Sequence, residues 1–351
     1  MSMEQLLREA VEQDASDIYI VAGLGATLRR HGQISQGGSP RLLPGDTRKL
    51  VEEVYHLAGD RDMESLLRTG DDDFSFSIPG LSRFRVSAFR QRGSLSAVIR
   101  VIRFQLPDYR QLNIPDAVME LGDNRQGMVL AVGPAGSGKS TTLACLVDRI
   151  NKTQKRHIIT LEDPLEFLHS HNQSVVTQRE IGVDTQSYVK GLRAALRQSP
   201  DIILLGEMRD YETIEVAMTA AETGHLIFST LHTIGAANTI ERIIDVFPAN
   251  QQRQIAVQLA MVLKAVVSQQ LVPGVDGGVV PAFELMPMTP AIRTMIRDGK
   301  THQIDGVLQA SSQKNCFSMD ASLLQLYRQN RITRETALTY SPNPELLSKK
   351  M

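Results

Sequence analysis

The stretch GPAGSGKST, residues 133–141, restricts what this chain can fold into more than any other feature of the sequence. It fits the pattern G-x-x-x-x-G-K-[ST], follows the apolar run MVLAV and precedes the helical pattern TTLACLVDRI, which is the context that the pattern requires. Glycines let successive backbone N–H groups turn towards phosphate oxygens, and the helix adds the positive end of its dipole. The sequence therefore predicts a phosphate-binding loop made of Gly133, Pro134, Ala135, Gly136, Ser137, Gly138, Lys139, Ser140 and Thr141.

The lysine and the serine that end this pattern have expected roles in binding a nucleotide. In such a loop the lysine reaches the β and γ phosphates, and the hydroxyl group after it holds Mg²⁺. Lys139 and Ser140 occupy these two positions. The sequence therefore predicts ATP and Mg²⁺ as cofactors.

A magnesium ion in such a site needs an acidic side chain from a neighbouring strand. The stretch DIILLGEMRD, residues 201–210, places Gly206 and Glu207 directly after four apolar residues. We expect Glu207 to act on the metal, directly or through water, and Gly206 to permit a close approach of the backbone to the nucleotide. The alternative is that Glu207 forms an ion pair with Arg209 in a turn.

Three carboxylates follow the apolar run IITL, at Glu162, Asp163 and Glu166. Hydrolysis at a phosphate-binding loop depends on positioning and electrostatics, so one carboxylate must orient the attacking water. The spacing leaves all three open, and it also leaves open a structural role in capping or ion pairing. His232, at the end of HLIFSTLH, is a candidate sensor of the γ phosphate through a hydrogen bond, with a structural histidine as the alternative.

The character of the sequence changes near residue 110. A helical start and the runs SDIYIVAG, DFSFSI, RFRVSAF and SAVIRVIRF predict a small α+β domain over residues 1–104. The stretch 105–115 contains two prolines and is the expected linker. Apolar runs alternate with helical patterns over 116–270, which predicts a mostly parallel sheet covered by helices. Residues 271–351 indicate a region of short helices.

Composition and charge exclude several classes of partner. The 351 residues include 38 Lys and Arg against 39 Asp and Glu, and no tryptophan, so no nucleic-acid partner is expected. Cys145 and Cys316 lie far apart and form no zinc motif. The acidic N-terminal stretch and the lack of a long apolar run predict that there is no signal peptide and no integral membrane segment.

Five stretches in this order and spacing, GPAGSGKST, ITLEDPLEF, LRAALRQSPDIILLGEMRD, AAETGHLIFSTLHT and AIRTMIRDGK, closely resemble the ATPases of the secretion superfamily, and within it the type IV pilus retraction ATPases. The resemblance implies a RecA-like P-loop ATPase core, a PAS-like N-terminal α+β domain and C-terminal helices. It assigns the general base to Glu166, the magnesium-side acid to Glu207 and the sensing of the nucleotide state to His232. The implied activity is ATP hydrolysis coupled to pilin disassembly, pilus retraction and twitching motility.

The resemblance also implies a ring of six protomers, a homohexamer in which each N-terminal domain rests on the ATPase core of the next. Arg85 and Arg100 would reach the neighbour's nucleotide, because a guanidinium group suits a polyphosphate. The alternative is that both are solvated strand arginines. The implied location is the cytoplasm, peripheral to the inner face of the cytoplasmic membrane. The implied partner there is the inner-membrane platform protein of the pilus machine.

The stretch TPAIRTMIRDGK bears on whether the implied motor retracts or extends the pilus. Thr289 and Pro290 predict a helix start, followed by an apolar face and a solvated face with Arg293 and Arg297. The apolar face is expected to hold Ala291, Ile292, Met295 and Ile296. Retraction ATPases carry a similar segment, from which this chain differs at residues 294, 295 and 298. The corresponding residues here are Ala291, Ile292, Arg293, Thr294, Met295, Ile296, Arg297 and Asp298.

Three other functions stay open on the sequence. An accessory retraction ATPase shares all of these motifs. A pilus-extension or type II secretion ATPase of the same superfamily usually has a further N-terminal domain and a tetracysteine zinc insert, for which this chain has neither the length nor the cysteines. A nucleotide-switched scaffold without turnover is expected to lack an acid, yet Glu166 and Glu207 are both present.

Overall fold

The structure is a computed structural model that describes residues 2–30, 32–36, 40–102, 106–311 and 313–351. Its contacts divide the chain into two units, Met1–Gln105 with Glu166–Leu168 and Leu106–Leu165 with His169–Met351. Each unit has its own hydrophobic core. Across the described ranges, no helix combines the length and the apolar character needed to cross a membrane.

The first unit is built on a six-stranded antiparallel sheet in the order β3-β2-β1-β6-β5-β4. Its strands are β1 (Asp17–Ile20), β2 (Thr27–Arg30), β3 (Gln33–Gln36), β4 (Asp71–Ile78), β5 (Ser82–Gln91) and β6 (Ser94–Ile102). Its helices are α1 (Met3–Glu12), α2 (Pro44–Leu57) and α3 (Glu64–Thr69). The predicted strand runs correspond to β1, β4, β5 and β6, apart from residues 103 and 104, which lie outside the described residues. The patterns do not predict β2, β3, α2 or α3.

Strand β5 shows why this sheet has one packed face. Phe84 and Val86 are fully buried and Ala88 is 1% exposed, while the residues between them point to the other face, as the two-residue period of a strand requires. The buried side chains join a core with Leu7 of α1 and Val51 of α2. The alternation predicted for RFRVSAF is confirmed.

The second unit contains a seven-stranded sheet in the order β13-β12-β7-β11-β10-β8-β9. Neighbouring strands are parallel except for β12 and β13. The strands are β7 (Gly127–Val132), β8 (His157–Glu162), β9 (Val175–Glu180), β10 (Ile202–Leu205), β11 (Leu226–Leu231), β12 (Leu263–Pro273) and β13 (Val279–Pro287). Because β7, β10 and β11 are buried along their whole length, they form continuous apolar runs in the sequence.

Helices cover both faces of this sheet. On β7, Met128 and Leu130 join the core on one face, whereas Val129 and Ala131 join the core that includes Leu146 of α5 on the other. The helices are α4 (Asp116–Met119), α5 (Lys139–Thr153), α6 (Tyr188–Ala195), α7 (Tyr211–Glu222), α8 (Ala236–Asp245), α9 (Ala249–Val262), α10 (Pro290–Arg297), α11 (Ile304–Ala310), α12 (Met319–Arg328), α13 (Arg334–Thr339) and α14 (Pro344–Lys350), with 3₁₀ turns at Glu120–Asp123 and Thr301–Gln303. The predicted α/β fold with a mostly parallel sheet is confirmed.

The region expected to be helical from residue 271 begins in the sheet instead. Strand β12 extends to Pro273, and β13 pairs with it in antiparallel orientation. The stretch VVPAFELMP of β13 is apolar on both faces, with Phe283, Leu285 and Met286 buried. A short apolar run of this kind cannot be assigned to strand or helix by its periodicity. The first helix after it is α10.

The segment expected to be a linker is part of the second unit from Leu106 onwards. Leu106, Tyr109 and Leu112 pack against the core on the α5 face, and Ile114 is 5% exposed. These apolar residues have no regular spacing, so the sequence pattern does not reveal that they are packed. Residue 105 lies outside the described residues.

Candidate active site

The phosphate-binding loop connects the end of β7 with the start of α5. Because α5 begins at Lys139, the loop leads directly into a helix N-terminus, whose free N–H groups and positive dipole end favour an anion. The predicted residues 133–141 therefore lie together at the carboxyl end of a central parallel strand. This is the edge of an α/β sheet at which ligands bind.

The glycines of the loop are required by its backbone. Gly133, Gly136 and Gly138 have φ values of 145°, 73° and 88°, which residues with a Cβ rarely adopt. A Cβ on Gly133 would also lie 2.2 Å from the backbone oxygen of Gln269, and one on Gly138 would lie 2.8 Å from Gln269 Nε2. The loop therefore owes its shape both to its glycines and to β12, the strand that carries Gln269.

The polar groups of the loop fit the phosphates of a nucleotide. Lys139 is 6% exposed, and its ammonium group donates to the carbonyl oxygens of Gly133 and Pro134, both at 2.8 Å. The hydroxyl group of Ser137 is buried and has no hydrogen-bond partner in the described chain, which is costly unless a ligand supplies one. Ser140, at the start of α5, is exposed. The N–H and ammonium donors of the loop suit an anion, and the exposed hydroxyl oxygen of Ser140 suits a hard cation beside that anion.

Glu207 and His232 follow neighbouring strands, β10 and β11, at the same edge of the sheet as the loop. Strand β11 lies between β10 and β7, so Glu207 follows a strand about 10 Å from the one that leads into the loop. Glu207 is 9% exposed. One of its carboxylate oxygens contacts Arg209, and the other lies 3.4 Å from His232 Nε2. The ion pair expected as an alternative for Glu207 is therefore present together with a contact to the predicted sensor.

Tyr188 is a residue of this site that the sequence patterns do not indicate. Burial raises the pKa of its hydroxyl group, and the carboxylates of Glu207 and Asp163 raise it further, so the phenol is neutral beside these acids. Its oxygen lies 2.8 Å from the position of a Cβ on Gly206, and Glu162 Cα lies 3.4 Å from the same position. The approach of a nucleotide to Gly206 stays a prediction, and Tyr188 and β8 supply a further reason for a glycine at this position.

The three carboxylates at and beyond the end of β8 have different surroundings. Glu162 Oε1 lies 3.5 Å from Gln178 Nε2 of β9. Asp163 is exposed and precedes a cis proline. Glu166 is exposed and is grouped with the first unit, whereas Glu162 and Asp163 belong to the second. By its contacts, Glu166 therefore belongs to a different unit from the two acids that precede it.

Arg85 and Arg100 lie directly opposite each other on β5 and β6. Two like charges in this position destabilise a sheet unless an anion offsets them. Arg100 is exposed, and its Nε donates to Asp17 Oδ1 at 3.0 Å. Arg85 is half-buried. The structure thus brings the two predicted arginines together in the first unit, where Asp17 offsets part of their charge.

The sequence matches the family described as type II/IV secretion system protein over residues 1–283. The chain belongs to this family. It is 41% identical to the type IV pilus retraction ATPase PilT of Pseudomonas aeruginosa, over 98% of this chain and 99% of that protein. It is 39% identical to the type IV pilus ATPase PilU of the same organism, over 97% of this chain and 89% of that protein. The crystal structure of the pilus retraction motor PilT with bound ADP matches it with a TM-score of 0.91 and 44% identity, over 99% of both chains.

These similarities confirm two predictions made from the sequence. The resemblance to the secretion ATPases is a family relationship that extends over nearly the whole chain. The fold class, a P-loop ATPase core with a smaller α+β unit, is that of the PilT structure.

In this member of the secretion family, the stretch TPAIRTMIRDGK contains helix α10. Thr289 caps the helix by accepting a hydrogen bond from the backbone N–H of Ile292 at 3.3 Å, and Pro290 is its first residue. Ile292 and Ile296 are fully buried, and Met295 is half-buried. The predicted helix start and most of its apolar face are confirmed.

Two residues of α10 differ from the prediction. Ala291 is exposed. Arg293 is half-buried instead of fully solvated, and its guanidinium group donates to the backbone oxygens of Ala260 and Met261 in the last turn of α9. Carbonyl groups at the end of a helix lack partners within it, and an arginine satisfies them well. Arg297 is exposed, as predicted, and donates to Thr294 Oγ1 at 3.1 Å.

Proposed function

We propose that this chain is a hexameric, Mg²⁺-dependent ATPase that retracts type IV pili and so drives twitching motility. One observation carries the proposal. A phosphate-binding loop, Glu207 and His232 meet at one edge of the sheet in a chain 41% identical to PilT over almost its full length. The predicted enzyme class, an ATPase, is confirmed by the family and by these relatives. The retraction role is supported by the name and the structure of PilT.

Residues of the loop bind the nucleotide. The backbone N–H groups at the start of α5 donate to phosphate oxygens, and Lys139 exchanges its present carbonyl partners for the more strongly attracting phosphates. Mg²⁺, if bound, would offset the negative charge that develops on the phosphates during hydrolysis. The hydroxyl oxygen of Ser140 and the carboxylate of Glu207 would hold it, directly or through water, because Mg²⁺ prefers oxygen ligands.

Glu166 acts as the general base that orients and deprotonates the attacking water, as the family resemblance implies. His232 senses the γ phosphate through a hydrogen bond. Because His232 Nε2 lies 3.4 Å from Glu207, a phosphate that attracts the imidazole also changes the surroundings of the carboxylate on the metal side. The presence of the nucleotide is thereby coupled to the position of the loop after β11.

The ring is a homohexamer in which Arg85 and Arg100 of one protomer reach the phosphates bound by the next. Their position opposite each other on β5 and β6 supports this role, since two guanidinium groups at cross-strand distance can hold a polyphosphate together. Closure of this contact on ATP and its release after hydrolysis would rotate the protomers as rigid bodies. The inner-membrane platform protein would receive this motion at the cytoplasmic face of the membrane.

The assignment of the base is tested by Glu166→Gln, with Glu162→Gln and Asp163→Asn as matched controls. We expect Glu166→Gln to lower the ATPase rate by about 10²-fold or more while ATP binding is kept, and the controls to lower it less. Steady-state hydrolysis and the affinity for a fluorescent ATP analogue are measured side by side. Normal hydrolysis by Glu166→Gln would show that another group is the base.

The direction of the motor is tested by deleting the gene. A retraction motor leaves cells with abundant surface pili that do not retract, so twitching is lost. Loss of the pili themselves would contradict retraction and favour extension.

The identity of 39% to PilU supports a second candidate function, that of an accessory retraction ATPase. If the chain has this function, deleting its gene would leave retraction measurable, but the recorded pilus forces would be weaker.

A further inference from the structure

Gln269 is a buried amide that no motif of the sequence indicates and that the proposed mechanism does not use. It lies in β12 within the run VVSQQLV and is 3% exposed. A buried amide is costly unless it is hydrogen-bonded. Its Oε1 accepts a hydrogen bond of 2.7 Å from Thr142 Oγ1, in the first turn of α5. The amide therefore links β12 to the helix that follows the phosphate-binding loop.

Gln269 also limits the space at both ends of the loop. Its backbone oxygen lies 2.2 Å from the position of a Cβ on Gly133, where the chain leaves β7. Its Nε2 lies 2.8 Å from the corresponding position on Gly138, where the chain enters α5. One side chain and its carbonyl group thus face the loop at its beginning, at its end and in the first turn beyond it.

Strand β12 holds Gln269 in place from two sides. It pairs with β7, with Ser268 opposite Val132, the last residue before the loop. It also pairs with β13, where Phe283 lies opposite Gln269. Because β12 is hydrogen-bonded to a strand on each side, Gln269 is a fixed point against which the loop can be set.

We propose that Gln269 is a positioning residue that holds the phosphate-binding loop in the shape that receives the nucleotide phosphates. A loop with several glycines loses much conformational freedom when it becomes ordered, and a fixed contact that orders it in advance lowers the cost of binding. The α and β phosphates are common to ATP and ADP, so the effect applies to both nucleotides and to binding more than to the chemical step. The inference rests on the proposed nucleotide-binding function and adds a residue to that site.

The test compares Gln269→Met with Gln270→Met. Gln270 is the next residue of the same strand, is 9% exposed, and points to the opposite face of the sheet. Methionine has a volume similar to that of glutamine and cannot make the bond to Thr142. We expect Gln269→Met to raise the Kd for a fluorescent ADP analogue and the KM for ATP about tenfold, with kcat changed less than twofold. We expect Gln270→Met to leave all three within about twofold of the unaltered chain.

A second variant tests the same bond from the other side. Thr142→Val removes the donor at nearly constant volume, and we expect it to weaken ADP binding as well. If Gln269 acts through Thr142, the double variant binds ADP no more weakly than Gln269→Met alone. Thermal unfolding without nucleotide checks that each variant is folded. If Gln269→Met does not fold, the ADP affinity of Thr142→Val decides the test.

Unchanged ADP affinity in folded Gln269→Met, or an equal loss in Gln270→Met, would overturn the proposal. The ADP measurement needs no turnover. An unaltered chain that binds ADP but does not hydrolyse ATP would therefore contradict the proposed function and leave the test of Gln269 intact.

Discussion

At the scale of single residues, the phosphate-binding loop needs glycine for two separable reasons. Gly133 has a positive φ, and a Cβ at this position would clash with the backbone oxygen of Gln269. Gly136 also has a positive φ, but a Cβ there would meet no other atom within 4 Å. A backbone carbonyl inside a sheet cannot move aside as a flexible side chain can. The two positions therefore differ in how much a single methyl group disturbs the loop.

We predict that Gly133→Ala weakens ADP binding by about 100-fold or more, because strain in φ and a clash with β12 add together. Gly136→Ala is the matched control, and strain alone should weaken binding by about tenfold. Isothermal titration with ADP measures both. Equal losses in the two variants would show that the contact with Gln269 is unimportant for the loop.

At the scale of secondary-structure elements, side chains of the last strand and of α10 fix the ends of helices that lie far from them in sequence. Glu284 of β13 is buried and accepts hydrogen bonds from the backbone N–H of Ala236 at 3.0 Å and of Met319 at 3.3 Å, at the starts of α8 and α12. Burial raises the pKa of this carboxyl group, and the two N–H groups act in the opposite direction. Arg293 similarly satisfies the end of α9. These long-range contacts join α8 and α12 to β13, and α9 to α10.

We predict that Arg293→Met lowers the free energy of unfolding by about 1–3 kcal/mol, because the last carbonyl groups of α9 lose a charged donor. Arg297→Met, four residues later on the exposed part of the same helix, should change it by less than about 0.5 kcal/mol. Urea unfolding followed by circular dichroism gives both values. A similar loss in both variants would mean that the cap of α9 contributes little.

At the scale of the whole molecule, the proposed ring divides each active site between two protomers. The arginines of the first unit and the phosphate-binding loop of the second would then meet only across an interface. Such a head-to-tail contact closes into a ring when the rotation between neighbours allows it. Two defects placed on opposite sides of the interface can therefore compensate each other.

We predict that Lys139→Ala and the double variant Arg85→Ala/Arg100→Ala are each inactive, and that mixing them restores ATPase activity. In rings assembled at random from equal amounts, about a quarter of the interfaces join an intact loop to intact arginines. Activity up to about that fraction of the unaltered chain is expected. Mixed rings as inactive as either variant would contradict a site shared between protomers.

The sequence alone determined the features that depend on short, contiguous chemistry. The phosphate-binding loop needs glycines, a lysine and a serine at fixed spacing, and the buried parallel strands need continuous apolar runs, so these are readable from local pattern. The choice of Glu166 among three acids came from the family resemblance and stays a prediction. Glu207 and His232 were predictable as separate residues at strand ends.

Only the tertiary structure decided which distant residues meet. It placed His232 against Glu207, Tyr188 beside Gly206, and Gln269 against the loop. It also turned Arg293 from an expected surface charge into the cap of α9. The sequence places Gln269 among three consecutive polar residues, 268–270, inside an otherwise apolar run. Buried polar residues of this kind need partners, but the pattern does not show which ones. Hydrogen-bond partners that lie more than a hundred residues apart are set by the order of strands in the sheet, and local periodicity carries no information about that order.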